Sequence, residues 1–120
     1  MAMVKSYRDL VAWQKAMQLA KAIYRATSRM PGSERFGLTL QIRRASISIP
    51  SNIAEGFGRQ SRPDLLKFLR IARGSLNEVA TQLELATDLS FLRPNPPLNA
   101  LLREVDRVLQ GLIRSLEQKR

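Results

Sequence analysis

The sequence predicts an all-α protein, an antiparallel up-and-down four-helix bundle, from three observations. Apolar residues recur at steps of three and four in four segments of similar length. Proline-containing stretches separate them: MPGS at 30–33, SRP at 61–63 and RPNPP at 93–97. The composition, 44% apolar and 25% charged with no cysteine, is typical of a globular domain without disulfides. We expect one domain over residues 1–120.

The first helix is predicted over residues 8–29. Ser6 and Asp9 form a weak capping-box pattern at its start, and MPGS marks its end. Its apolar positions at steps of three and four are Leu10, Trp13, Met17, Ala20 and Tyr24. We expect these side chains to face the core.

The second helix is predicted over residues 34–57, although ASISIPS at 45–51 alternates like a strand. The helical step continues through it at Leu38, Ile42, Ala45, Ile49 and Ile53. A single strand among helices would have no sheet to join. Pro50 then lies inside a helix, where it crowds the carbonyl of Ser46, so we expect a kink. Ser46, Ser51 and Asn52 are placed to bind the freed backbone groups.

A second apolar stripe on this helix consists of Leu40, Ile47 and Ala54, spaced by seven. A helix that is apolar on two faces needs two partner surfaces, and a single bundle supplies one. We therefore expect assembly into a homo-oligomer through this stripe. The alternative is a monomer that exposes scattered apolar side chains.

The third helix is predicted over residues 62–90, with Ser61 as its cap and Pro63 in its first turn. Its core positions are Leu65, Leu69, Ala72, Leu76, Val79, Leu83 and Ala86. Gly74 and Ser75 inside this helix weaken it unless another helix packs closely there. We expect a helix crossing near that point.

The fourth helix is predicted over residues 96–118. Asn95 is suited to cap it, and Pro96 to occupy its first position. Its apolar stripe is Leu98, Leu102, Val105, Leu109, Leu112 and Leu116.

The charge is strongly positive. Lys and Arg number 20 against 10 Asp and Glu, which gives a net charge of +10 and a pI near 11.3. Polyanions are natural partners for such a surface, and the arginine guanidinium can donate two parallel hydrogen bonds to a phosphate. The alternative is that the charge only maintains solubility.

The candidate nucleic-acid contacts are Arg43, Arg44, Arg59, Arg62, Lys67, Arg70 and Arg73. Lys21, Arg25 and Arg29 form a further basic arc, which also complements the negative end of the first helix. The aromatic residues Trp13, Tyr24 and Phe68 fall on or beside apolar seams. We expect them to pack in the core, so that binding depends on phosphate and shape.

Catalysis and metal binding are disfavoured. The chain has no histidine and no cysteine, which removes the commonest general base and the commonest metal ligands. Glu78 and Glu84 lack the histidines of a di-metal bundle site. Asn52 and Glu55, next to Pro50, are interpreted as structural polar residues. We expect no enzyme activity, no metal and no cofactor.

The N-terminal residues make no apolar run typical of a signal peptide, and no segment approaches the length of a membrane span. We therefore expect a cytoplasmic protein without membrane contact.

Three stretches together resemble a known family: YRDLVAWQKAM at 7–17, RFGLTLQIRRASISIPSNIAEGFGR at 35–59 and FLRIARGSLNEVATQLELA at 68–86. They are similar to the bacterial four-helix-bundle proteins encoded in intervening sequences of ribosomal RNA genes. The most specific motif is SIPSNIAEG at 48–56. The resemblance implies an up-and-down bundle that assembles as a ring, most often a homopentamer. It also implies distant kinship to the accessory variability protein of diversity-generating retroelements.

Two functions remain open at this point. The first is a non-catalytic homopentamer that binds RNA or DNA through its arginines. The alternative is an oligomeric adaptor or scaffold that docks a partner protein without binding nucleic acid. Strong salt dependence of nucleic-acid binding would favour the first.

Overall fold

The computed structural model describes residues 4–118, and within that range the chain forms helices and no strands. The four long helices are α1 (Val11–Thr27), α2 (Leu38–Gly58), α3 (Arg62–Asp88) and α4 (Pro96–Glu117). Two short 3-10 helices, Tyr7–Asp9 and Gly32–Glu34, precede α1 and α2. The prediction of an all-α fold with four long helices is confirmed.

The helices pack around one apolar core. Each packs against its neighbours in the chain, and α1 also packs against α4; in the described part of the chain, no Cα atoms of α1 and α3, or of α2 and α4, lie within 8 Å of each other. The core positions predicted for α3 and α4 are buried or half-buried. Leu69, Val79 and Leu109 are fully buried, which confirms the helical period used to predict them.

Polar side chains cap the starts of α3 and α4 as the sequence predicts. The Ser61 hydroxyl accepts a hydrogen bond from the Asp64 amide at 3.2 Å. The Asn95 side-chain oxygen accepts one from the Leu98 amide, also at 3.2 Å. Pro96 occupies the first position of α4, where no amide hydrogen is required. Local sequence thus sets both boundaries.

The capping box of Ser6 and Asp9 is present, but it caps the 3-10 helix and not α1. The Asp9 carboxylate accepts from the Ser6 amide at 3.1 Å. Leu10 then takes an extended conformation, and α1 begins at Val11. The long helix therefore starts later than the predicted residue 8.

The core stripe predicted for α1 is displaced by about one residue of rotation, although its members Leu10 and Trp13 still pack against the core. Its members Leu10, Trp13, Met17 and Ala20 are half-buried and Tyr24 is exposed. The residues that face the core are Ala12, Ala16, Leu19, Ile23 and Thr27. Both stripes follow the three-and-four step about 100° apart, so periodicity alone does not distinguish them. Ala12 and Ala16 are small, so the neighbouring helices can pack closely against this face of α1.

Helix α2 continues through Pro50, which is buried. The Asn52 side-chain amide donates to the carbonyl and to the hydroxyl of Ser48, each at 2.8 Å. The Ser46 hydroxyl donates to the Arg43 carbonyl at 2.8 Å. These bonds go to the carbonyls of Arg43 and Ser48. Within the described residues no side chain binds the Ser46 carbonyl that Pro50 leaves without its partner, so the prediction that Ser46, Ser51 and Asn52 bind the freed group is wrong.

The helix contact predicted near Gly74 and Ser75 is present at Ser75 but not at Gly74. Gly74 is exposed, and a methyl group there would meet no atom within 4 Å. Its neighbour Ser75 does contact α2, through a hydroxyl pair with Ser48 at 2.9 Å. Helices α2 and α3 also approach each other closely at Gly56, where a Cβ would lie 2.7 Å from the Phe68 Cβ. Gly74 points away from α2, so its small size is not used inside the protomer.

Candidate nucleic-acid interface and assembly groove

Ion pairs neutralise only some of the basic side chains. Within residues 4–118 the salt bridges join Lys15 to Glu104, Arg59 to Glu55, Arg70 to Glu117 and Arg73 to Asp106. No acid lies within 4.0 Å of Arg44, Arg62 or Lys67 in the described structure. These three side chains are exposed and available to an external anion.

The structure does not bring the seven candidate contacts into one patch. Arg43 and Arg44 lie early in α2, whereas Arg59 follows its last residue. The rise of an α-helix places about 20 Å between them. Arg43 instead lies beside the end of α1, as its bonds to Tyr24 and Thr27 show.

Arg43 is held by the fold. Its Nε donates to the Thr27 hydroxyl at 2.9 Å, and its terminal nitrogen donates to the Tyr24 carbonyl at 3.2 Å. Its guanidinium also lies 4.5 Å from the centre of the Tyr24 ring. These contacts use guanidinium N–H groups that would otherwise donate to a phosphate. Arg43 therefore primarily joins α1 to α2.

The corner between α2 and α3 gathers Arg59, Arg62 and Lys67. Arg59 lies 4.0 Å from Glu55, at the limit of an ion pair, and its guanidinium is 5.2 Å from the Phe68 ring centre. The Lys67 ammonium is 6.0 Å from the same ring. Phe68 therefore supports two cations at the surface as well as packing against Gly56. We name these three basic residues the corner patch.

Farther along α3, Arg70 and Arg73 face acids of α4. Arg70 binds Glu117, and the Arg73 Nε donates to the Asp106 carboxylate at 3.1 Å. Gln110 donates to the same Asp106 carboxylate at 2.6 Å. These pairs tie α3 to α4 and reduce the charge that the two arginines present to solvent. The partners lie more than thirty positions away in the chain, so no local pattern predicts them.

An apolar groove of about 630 Å³ runs between the outer faces of α1 and α2. Trp13, Met17 and Ala20 line its α1 side. Ile47, Pro50 and Ala54 line its α2 side. Four of the five residues predicted for the core stripe of α1, and two of the three in the second stripe of α2, therefore line one groove.

Two aromatic residues expected in the core belong to this groove. Trp13 is half-buried and meets Tyr7 edge to face, with ring centres 5.2 Å apart. Tyr24 is 39% exposed. Ile47 is 45% exposed. Leu40, the remaining member of the α2 stripe, is half-buried and lies outside the groove.

No three His, Cys, Asp or Glu side chains between residues 4 and 118 are placed to hold a metal ion. Over the same range, no helix is long and apolar enough to cross a membrane.

Four helices, a positive surface and an apolar groove define a small basic helical protein. The chain belongs to the 23S rRNA-intervening sequence protein family, whose model matches residues 8–114. The match extends beyond the three motifs described above into most of α4.

A solved structure shares this fold. It is a protein of unknown function from the S23 ribosomal protein family of Bacteroides thetaiotaomicron VPI-5482. The two are 27% identical with a TM-score of 0.79, and the alignment covers 87% of this chain and 96% of that one. No curated protein matches the sequence significantly.

Proposed function

We propose that this protein is a non-catalytic, cytoplasmic homo-oligomer that binds RNA or DNA through phosphate contacts. The observation that carries the proposal is the unbalanced charge: +10 on 120 residues, with exposed cations that have no acid within 4.0 Å among residues 4–118. Such a surface attracts polyanions and releases their counterions on binding. The family's description by 23S rRNA intervening sequences is consistent with a nucleic-acid partner.

The corner patch is the proposed principal contact. Arg62 and Lys67 carry exposed charge without an acidic partner, and Arg59 is held only loosely by Glu55. Arg44 adds a separate exposed cation on α2. We expect Arg70 and Arg73 to contribute less because Glu117 and Asp106 already neutralise them.

Assembly through the apolar groove is the second part of the proposal. Pairing with another copy would cover Trp13, Met17 and Ile47, which the single chain leaves partly open to water. A ring would repeat the corner patch around an axis and raise the avidity for a long polyanion. The homopentamer, and the kinship to the accessory variability protein, rest on the resemblance in sequence.

The bundle geometry of the proposal is antiparallel. Ser48 of α2 meets Ser75 of α3, whereas Gly56, farther along α2, approaches Phe68, which is earlier in α3. Likewise Arg73 pairs with Asp106, whereas the earlier Arg70 pairs with Glu117. Successive helices that meet in reverse order run in opposite directions. We also propose that α2 is kinked at Pro50.

The test compares two double variants that remove the same charge. Arg62→Ala/Lys67→Ala removes two unpaired cations, and Arg70→Ala/Arg73→Ala removes two paired ones. The fluorescence anisotropy of labelled RNA is measured over a salt series. The first variant should make the negative slope of log affinity against log salt less steep by about 2. The second should change it less. Equal effects would show that only the total charge matters, and would remove the corner patch from the proposal.

The groove also supports the alternative of an adaptor that docks another protein. An apolar channel of about 630 Å³ fits an amphipathic helix of a partner as well as one of a second copy. If the purified protein is oligomeric and binds neither RNA nor DNA at low salt, the adaptor becomes the better description.

A further inference from the structure

A second basic surface lies away from the corner patch. A cleft of about 1240 Å³ opens between the end of α1, the end of α3 and the start of α4. Arg25 and Arg29 border it from α1, and Arg93 and Arg103 from the α3–α4 loop and α4. We name these four residues the arginine cleft. Arg93 and Arg103 join the basic arc of α1 only through the fold, so the sequence does not place them there.

Cations and acids lie on different walls of the arginine cleft. Its acids, Glu84 and Asp88, are both on α3, whereas the four arginines come from the other elements. No acid in the described structure lies within 4.0 Å of any of the four guanidinium groups. The arginines are exposed and free to contact phosphates.

Part of the lining of the cleft is apolar. The buried residues Leu83, Leu98 and Leu102 line it, together with the half-buried Phe91. Phe91 is held in place because its amide donates to the Ala86 carbonyl at 2.8 Å. An aromatic side chain beside several arginines is the combination that binds unstacked bases and their backbone together.

A duplex does not use such a cleft well. It presents phosphates at its surface and keeps its bases stacked inside, so Phe91 and the leucines would have nothing to contact. A small ligand does not fill it, because typical small-molecule pockets are about 300–1000 Å³. A short single strand can place its phosphates on the arginines and an unstacked base against the apolar part of the lining.

We propose that the arginine cleft binds single-stranded RNA, with Arg29, Arg93 and Arg103 on the phosphates and Phe91 against a base. This inference rests on the proposed function and names the strand state that the protein prefers. It also adds a contact surface toward the opposite end of α3 from the corner patch. Arg25 lines both the cleft and the apolar groove, so it is left unchanged in the test.

The test uses the full chain and two triple variants of equal charge. Arg29→Ala/Arg93→Ala/Arg103→Ala alters the cleft, and Arg59→Ala/Arg62→Ala/Lys67→Ala alters the corner patch. The probes are a labelled oligouridylate of about 10 nucleotides and a blunt RNA duplex of similar length. Anisotropy is measured over a salt series, and thermal unfolding shows whether each variant remains folded.

The cleft variant should bind the oligouridylate at least about tenfold more weakly, with a salt slope lower by about 2. Its affinity for the duplex should change much less, and the corner variant should retain more of its single-strand affinity. If the cleft variant binds the oligouridylate as wild type does while the corner variant does not, this inference is wrong and the proposed function stands. If wild type binds neither probe, both are wrong.

A second measurement does not depend on removing charge. Phe91→Leu keeps an apolar side chain and removes the aromatic face, and should weaken oligouridylate binding about fivefold or more. An oligonucleotide with 4-thiouridine should crosslink within residues 84–103. Unchanged affinity of Phe91→Leu together with crosslinks confined to residues 59–73 would overturn the inference.

Discussion

Gly56 of α2 lies against Phe68 of α3 so closely that a Cβ on Gly56 would be 2.7 Å from the Phe68 Cβ. The same Cβ would lie 3.3 Å from the Leu65 side chain and 3.4 Å from the Leu65 carbonyl oxygen. The last turn of α2 and the first turns of α3 therefore fix the corner from which Arg59, Arg62 and Lys67 project. A glycine in SIPSNIAEG thus has a packing role.

Gly56→Ala should destabilise the protein by about 1–2 kcal/mol, because overpacking against backbone and Cβ atoms exceeds the gain in helix propensity. Gly74→Ala is the matched control, since nothing lies within 4 Å of the added methyl. It should stabilise α3 by up to about 1 kcal/mol. Urea unfolding of both variants tests the pair. A stabilised Gly56→Ala would contradict the close approach.

Arg43→Ala should destabilise the protein by about 1–2 kcal/mol, because it removes two hydrogen bonds and a ring contact that join α2 to α1. Arg44→Ala, at the next position, loses no contact of this kind and should change stability by no more than about 0.5 kcal/mol. For RNA affinity at low salt we expect the reverse: Arg44→Ala should weaken binding more than Arg43→Ala. Thermal unfolding and anisotropy on the same samples separate the two roles.

Ser90 lies just after the end of α3, with φ of 64°, in the left-handed region that favours glycine. Its amide donates to the Thr87 carbonyl, and the Phe91 amide to the Ala86 carbonyl, as in a Schellman cap. Ser90→Gly should therefore stabilise the protein by roughly 0.5–1 kcal/mol. Ser28→Gly is the control, because Ser28 ends α1 at φ of −63° and gains nothing from glycine. Denaturant midpoints decide the comparison.

Glu104 links stability to pH. The hydrogen bond from Lys15, and then its charge, lowers the pKa of Glu104 below its usual value. A depressed carboxyl pKa stabilises the folded state above the unfolded pKa, and this contribution is lost as the pH falls through the folded pKa. The melting temperatures of wild type and Glu104→Gln should therefore converge as the pH falls below about 4. Melting temperatures that stay equally far apart at low pH would contradict this linkage.

If the protein assembles through the apolar groove as proposed, Ile47→Glu should dissociate the assembly without unfolding the protomer, because it places a charge in the groove. Leu85→Glu is matched by exposure, 47% against 45% for Ile47, and lies outside the groove on α3. Light scattering after size exclusion gives the mass of each variant. Dissociation by Leu85→Glu alone would place the interface on α3.

Local features were predictable from the sequence, and features that depend on which faces meet were not. The caps at Ser61 and Asn95 follow from neighbouring residues. The core face of α1 could not be chosen, because Leu19 and Trp13 belong to two stripes of equal periodicity. The pairing of Arg73 with Asp106 and the meeting of Arg29 with Arg103 around one cleft arise only when distant helices pack. The α2 side of the groove was predicted from Ile47 and Ala54, whereas its α1 side, with Trp13 and Met17, was assigned to the core.

Binding of RNA by the wild-type protein over a salt series tests the central claim most directly. We predict that log affinity falls linearly with log salt, with a slope equivalent to several phosphate contacts. Binding that is absent at low salt, or that does not change with salt, would contradict the account and leave the apolar groove as the surface that explains this protein.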